Sequence, residues 1–118
     1  MFLANAFKRF FYPPTSAQIM AAKSTVEDAI KNNKVVVFSK SYCPYCIKAK
    51  KLLDSLNATF KAYELDQLEE GSAMQAYLKE KNGQTTVPNI YINQQHVGGC
   101  DDLHAAHRDG KLQKMLAA

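Results

Sequence analysis

The chain predicts an α/β fold, a mixed four-stranded sheet flanked by helices. Three observations carry that expectation. Val35-Val36-Val37-Phe38 is a continuous apolar run rich in β-branched residues, the mark of a strand buried on both faces. Segments with helical spacing alternate with strand-like segments on either side of it, which calls for a parallel pair joined by a crossover helix. Towards the end, two short strand-like stretches are separated only by Asn93-Gln94-Gln95, room for a hairpin turn and little else. A chain of 118 residues holds one domain with a modest core.

Ser24-Thr25-Val26-Glu27 has the S-x-x-E form of a capping box, so a first helix is expected from about Thr25 to Lys31, closed by Asn32-Asn33. The buried strand follows from Val35 to Ser39. Ala49, Leu52, Leu53 and Leu56 then repeat at i, i+3, i+4, i+7, predicting an amphipathic helix over Ile47 to Leu56. Thr59 to Leu65 sets Phe60 and Ala62 against Tyr63 and Leu65, the alternation of a second strand. Ser72-Ala73-Met74-Gln75 is a further capping-box pattern, opening a helix with Met74, Tyr77 and Leu78 inward and Asn82-Gly83 at its end. Pro88 precedes a third strand, Asn89 to Ile92, where proline is tolerated at the first position. His96-Val97-Gly98 reads as the fourth. Asp101 or Asp102 is expected to cap a helix carrying Leu103 and Ala106 and stopped by Gly110, and Leu112, Met115 and Leu116 add one or two helical turns. The order is αβαβαββα with a helical tail.

The formal charge is +4, and residues 1–26 hold Lys8, Arg9 and Lys23 with no acid, so +3 of it lies there. The remainder is close to balanced, which argues against nucleic acid as a partner and leaves Lys48, Lys50 and Lys51 as a solvated helix face. No apolar run approaches the roughly 20 residues of a membrane span. Three cysteines do not make a secreted disulfide framework and point to a reducing compartment. Residues 1–23 read as an N-terminal extension and 24–118 as the domain. In the extension Leu3, Phe7, Phe10 and Phe11 share one helical face and Asn5, Lys8 and Arg9 the other, before Pro13-Pro14 ends any helix. An amphipathic, basic, acid-free start has the look of a mitochondrial presequence; the competing reading is a plain tail or a helix packed on the domain. Met20 is a candidate internal start for an untargeted form, so the expected location is cytoplasmic and/or mitochondrial.

Chemistry concentrates at Cys43-Pro44-Tyr45-Cys46, directly after the buried strand and at the start of a helix. A strand that ends in Cys-x-x-Cys at a helix start reads as a thioredoxin-like redox site. Unpaired N–H groups and the positive end of the helix dipole favour an anion there. The thiolate is such an anion, and it is the nucleophile of disulfide exchange. A free thiol with a pKa of about 8.5 is mostly protonated at neutral pH, whereas helix-start cysteines fall to about 3.5–7.5. Cys43 is the expected attacking thiolate and Cys46, one turn into the helix, its resolving partner.

With Lys40-Ser41-Tyr42 before the cysteines, Thr86-Val87-Pro88, and Gly98-Gly99-Cys100-Asp101-Asp102, the chain resembles a dithiol glutaredoxin of the thioredoxin fold from about Ser24 to Leu116. A thioredoxin carries Trp-Cys-Gly-Pro-Cys, and this chain has no tryptophan; the monothiol Cys-Gly-Phe-Ser class is excluded by Cys46. The resemblance implies a cis peptide before Pro88 that turns the backbone of Val87 outward as an edge on which glutathione pairs like an added strand. It further implies Lys40 and Gln84 at the glycyl carboxylate, with Tyr45 lining the groove. The γ-glutamyl end falls to the N–H groups of Cys100 and Asp101 and to the Asp102 carboxylate. Glutathione is then a co-substrate, glutathionylated and disulfide-containing proteins are the partners, and a monomer is the default. Cys43 alone suffices to remove glutathione from mixed disulfides, while Cys43 and Cys46 together reduce protein disulfides.

The alternative in another class is a glutathione-ligated [2Fe–2S] cluster carrier using Cys43, against which the stiff Pro44 loop counts. A zinc site is weaker still. Zinc needs four ligands, and beyond the pair only Cys100, His96, His104 and His107 remain, so no metal is expected. Cys100 reads as a small buried residue beside the glycines, or as a regulatory thiol.

Overall fold

The computed structural model describes residues 12–118. In chain order these form α1 (Ser16–Asn32), β1 (Val35–Ser39), α2 (Pro44–Ser55), β2 (Lys61–Glu64), α3 (Gly71–Asn82), β3 (Asn89–Ile92), β4 (Gln95–Gly98), α4 (Cys100–Arg108) and α5 (Lys111–Ala117). The expected connectivity is therefore present, helical tail included. The strands lie in the order β2-β1-β3-β4, with β1 and β2 parallel and the β1–β3 and β3–β4 pairs antiparallel.

Every residue of β1 is buried, because both faces of the sheet are covered. Val36 and Phe38 point to one face, where Ala22, Val26 and Ile30 of α1 meet Met74 and Leu78 of α3. Val35 and Val37 point to the other, against Ala49 and Leu53 of α2, Leu103 of α4 and Leu112 of α5. The alternation along β2 and the residues flanking it sorts the same way: Tyr63 and Leu65 join the first layer, and Phe60 the second.

Four helix starts differ from expectation. α2 begins at Pro44, three residues ahead of Ile47, with the proline in the first turn where its missing N–H is tolerated. α1 begins at Ser16 rather than near Thr25, so it crosses the boundary drawn between residues 23 and 24. Its capping box is Thr15 and Gln18: the Gln18 N–H donates to Thr15 Oγ1 at 3.1 Å and the Thr15 N–H to Gln18 Oε1 at 2.8 Å. Burial of Ala22 against the sheet needs helix upstream of Ser24, which leaves Ser24-x-x-Glu27 as interior helix. α3 opens at Gly71 behind Glu70, without a side-chain cap, so Ser72 is not its N-cap. Here backbone proximity decides: a Cβ on Gly71 would sit 1.7 Å from the carbonyl oxygen of Leu65. α4 is preceded by Gly99 in the capping position, and Asp101 and Asp102 fall inside the first turn. Gly83 ends α3 with φ 82°, as Asn82-Gly83 foretold.

The end of the sheet away from the cysteines is closed by the chain's last residues. The Lys34 ammonium donates to the carbonyls of Leu116 and Ala118, and the Asn93 amide to that of Met115 at 2.7 Å.

Candidate active site

β1 carries the chain to the carboxyl end of the sheet, where open α/β sheets place their ligands. The Lys40–Tyr42 turn that follows is held at two points. The Cys43 N–H donates to the Lys40 carbonyl at 3.0 Å. Ser41 donates its N–H to Asp66 Oδ1 at 2.9 Å and its hydroxyl to Asp66 Oδ2. Asp66 lies two residues beyond the end of β2. Burial opposes its charge, but the Ser41 hydroxyl and N–H, with help from Lys40, hold its carboxyl below the usual range.

Cys43 is the N-cap residue of α2 and Pro44 occupies the first helical position, where its missing N–H costs nothing. The neutral thiol makes no capping hydrogen bond. Partial burial of Cys43 resists ionisation, yet its pKa lies below the ordinary thiol value, because the N–H and thiol of Cys46, the N–H of Tyr45 and the Lys40 charge all favour the anion. Cys46, three residues on, is fully buried. Burial pushes its thiol up, and the neighbouring Cys43 adds to the effect, against the opposing pull of the Lys40 backbone and the Ser39 hydroxyl. Both are free thiols.

The Val87–Pro88 peptide is cis, and the Val87 carbonyl faces Cys43 Sγ at 3.9 Å. Tyr42 and Tyr45, which flank Cys43 in the sequence, stand 68% and 61% exposed. Lys40 is half-buried at the end of β1. Beyond β4, the Gly99 N–H donates to Asp102 Oδ2 at 2.9 Å, closing the start of α4 on itself. Asp101 is exposed and Cys100 buried. Burial raises the Cys100 thiol, which lies 3.6 Å from His104 Nδ1. Gln84 is committed within the chain: its amide nitrogen donates to the Pro88 carbonyl at 2.7 Å and the Thr86 carbonyl at 3.0 Å, and its oxygen meets His96 Nε2 at 3.0 Å.

The fold thus gathers Lys40, Cys43, Tyr45, Cys46, Val87 and Pro88 around one sulfur pair, with the Gly98 to Asp102 turn adjoining through Pro88 and Gln84. Sequence reasoning did not single out Asp66, quoted Ser41 only within the cysteine motif, and weighed His96 only as a left-over zinc ligand. Asp66 had a legible signal, since it follows a strand parallel to β1 and so falls at the same sheet end. His96 had none, because it reaches the site through Gln84. Among the described residues, no cluster of three or more His, Cys, Asp or Glu side chains is arranged to hold a metal ion.

A family model described as Glutaredoxin matches residues 35–97. Glutaredoxin-1 of Rhizophagus irregularis is 58% identical over 96 residues, which span 81% of this chain and 95% of that protein. The chain belongs to the glutaredoxin family. It is accordingly an oxidoreductase of thiols and disulfides, and its fold is thioredoxin-like. Glutaredoxin-2 of Schizosaccharomyces pombe is 53% identical over 81% of this chain and 87% of its own. A buckwheat glutaredoxin solved as a glutathione complex superimposes with a TM-score of 0.87 at 47% identity, covering 88% of this chain and 94% of that one. The matched glutaredoxin region contains both cysteines, the cis-proline and Gln84.

Proposed function

We propose that this glutaredoxin uses glutathione to reduce mixed and protein disulfides, with Cys43 as nucleophile and Cys46 as resolving thiol. The observation that carries the reading is the inequality of the two sulfurs: Cys43 is reachable and biased towards thiolate, while Cys46 is buried and biased towards thiol. The Cys43 thiolate attacks the glutathione sulfur of a mixed disulfide. The substrate S–S bond breaks, the target leaves as thiolate and takes a proton, and glutathione stays on Cys43 as a mixed disulfide. The thiolate of a second glutathione attacks the glutathione sulfur of that adduct, releasing oxidised glutathione and the Cys43 thiolate. With a protein disulfide, Cys43 forms the adduct and Cys46, losing its proton, attacks the Cys43 sulfur. The products are the reduced target and a Cys43–Cys46 disulfide, which two glutathiones then reduce.

The cis-Val87–Pro88 edge supports pairing with a peptide such as glutathione, and the buckwheat complex supports glutathione as the ligand. In this reading Lys40 meets the glycyl carboxylate and Tyr45 lines the groove. The N–H groups of Cys100 and Asp101 meet the γ-glutamyl carboxylate, and Asp102 its ammonium. Pro44 stiffens the loop and disfavours the cluster-carrying alternative. The enzyme works as a monomer on glutathionylated or disulfide-containing proteins, in cytoplasm and/or mitochondria. A form starting at Met20 would lack the Thr15–Gln18 cap, and N-terminal sequencing of protein from isolated organelles tests whether it exists. For the activity, glutathione-disulfide production from a small glutathione mixed disulfide is measured with wild type, Cys43→Ser and Cys46→Ser. Activity in wild type and Cys46→Ser but not in Cys43→Ser is expected; full activity of Cys43→Ser would falsify the reading.

A further inference from the structure

Gln84 is expected from the family pattern to touch glutathione, but its side chain is spent elsewhere. The amide nitrogen has two hydrogens, and they are directed at the carbonyls of Pro88 and Thr86. Those carbonyls bracket Val87, whose own carbonyl faces Cys43. The amide oxygen takes His96 Nε2. Which way round an amide sits is decided by its partners. Two carbonyls accept on one side of Gln84, so its nitrogen belongs there, and the His96 N–H then has the oxygen to meet.

His96 is itself held. It pairs with Tyr91 across the β3–β4 ladder, with the two rings 5.2 Å apart. The Tyr91 hydroxyl accepts from Asn82 Nδ2 at 2.8 Å, and Asn82 Oδ1 accepts the Gln84 N–H at 2.8 Å. Asn82, Gln84, His96 and Tyr91 therefore close a ring of contacts. Asn82 Nδ2 also donates to the buried Asn89, the first residue of β3, at 3.1 Å. The ring reaches the other half of the groove as well. A Cβ on Gly99 would lie 3.7 Å from the Pro88 carbonyl oxygen, 3.9 Å from Gln84 Nε2 and 4.0 Å from Asp102 Oδ2.

We propose that Gln84 and His96 are positioning residues: His96 orients the Gln84 amide, and Gln84 fixes the Thr86–Pro88 backbone so that the Val87 edge presents itself to the peptide of glutathione beside the Gly99–Asp102 turn. This rests on glutathione being the substrate and recasts Gln84 as a strut behind the peptide edge instead of a ligand of the glycyl carboxylate. The chemical step at Cys43 is left to the helix start, so loss of the strut weakens substrate binding more than turnover.

The test compares KM and kcat of wild type, Gln84→Leu, His96→Phe and the double variant with the mixed disulfide of glutathione and 2-mercaptoethanol. The same set is run with the mixed disulfide of γ-glutamylcysteine, which has no glycine. His96→Phe keeps the ring against Tyr91 and removes the donor; His96→Gln restores one. KM should rise on the order of threefold to tenfold in each single variant, the range of one lost hydrogen bond. kcat should change less, His96→Gln should recover part of the loss, and the double variant should be no worse than Gln84→Leu. The KM rise should persist with the γ-glutamylcysteine probe. If it vanishes with that probe, Gln84 is a ligand of the glycyl carboxylate and the strut is overturned. Unchanged KM in both single variants, or strictly additive losses, overturns it equally. Should Gln84→Leu fail to fold, Gln84→Glu, which keeps the shape and puts oxygen against the two carbonyls, takes its place with the same expectation. Absence of saturation in wild type would instead strike at glutathione as substrate, which keeps the two failures apart.

Discussion

The starts of α1 and α2 face the same electrostatic problem and solve it differently. At α1, Thr15 and Gln18 satisfy each other's backbone N–H groups, and the helix end is closed. At α2 the residue in the capping position is Cys43, whose neutral thiol caps nothing. Its N–H groups stay available for an anion, and the anion is the sulfur itself once the proton leaves. One helix start spends its polar groups on stability; the other reserves them for a charged nucleophile.

Exchanging the nucleophile is the severest way to break that contrast. In Cys43→Ser the hydroxyl stays protonated at neutral pH, so activity towards glutathione mixed disulfides and protein disulfides should both fall to background in the coupled assay. Cys46→Ser should separate the two reactions: removal of glutathione persists, and reduction of protein disulfides is lost, read as thiols released from a disulfide-containing protein. The α1 start supplies the counterpart. Thr15→Ala should cost about 1 kcal/mol in urea unfolding, as loss of a capping side chain does, and leave turnover unchanged because Thr15 lies outside the groove.

Most of the framework was legible because it depends on local pattern. β1 is legible from its apolar run, α2 from Ala49 and Leu53, and the α3 stop from Gly83. Two of the misread helix starts, those of α1 and α3, share a cause. Ser24-x-x-Glu27 and Ser72-x-x-Gln75 have the letters of a cap, but tertiary contact sets the true starts: Ala22 must be buried on the sheet, and Gly71 must fit against Leu65. At the site the cysteine pair and its inequality follow from position on the helix, and the cis-Pro88 edge from the resemblance. Of the two fastenings, only that of Ser41 by Asp66 had a signal, the parallel strand that brings Asp66 to the same sheet end; nothing in the local spacing announces that of Gln84 by His96.

The contrast between the two cysteines is tested most directly by alkylation of the reduced protein with limiting iodoacetamide across pH, with mass spectrometry locating the label. A lowered pKa makes the rate at Cys43 climb as pH rises through a midpoint below that of a free thiol, about 8.5, and level off above it. Cys46, with its pKa raised, should react only at higher pH. The account predicts Cys43 as the first residue labelled, with the lower midpoint. Label appearing first on Cys46 or Cys100, or a Cys43 midpoint at or above that of a free thiol, would contradict it.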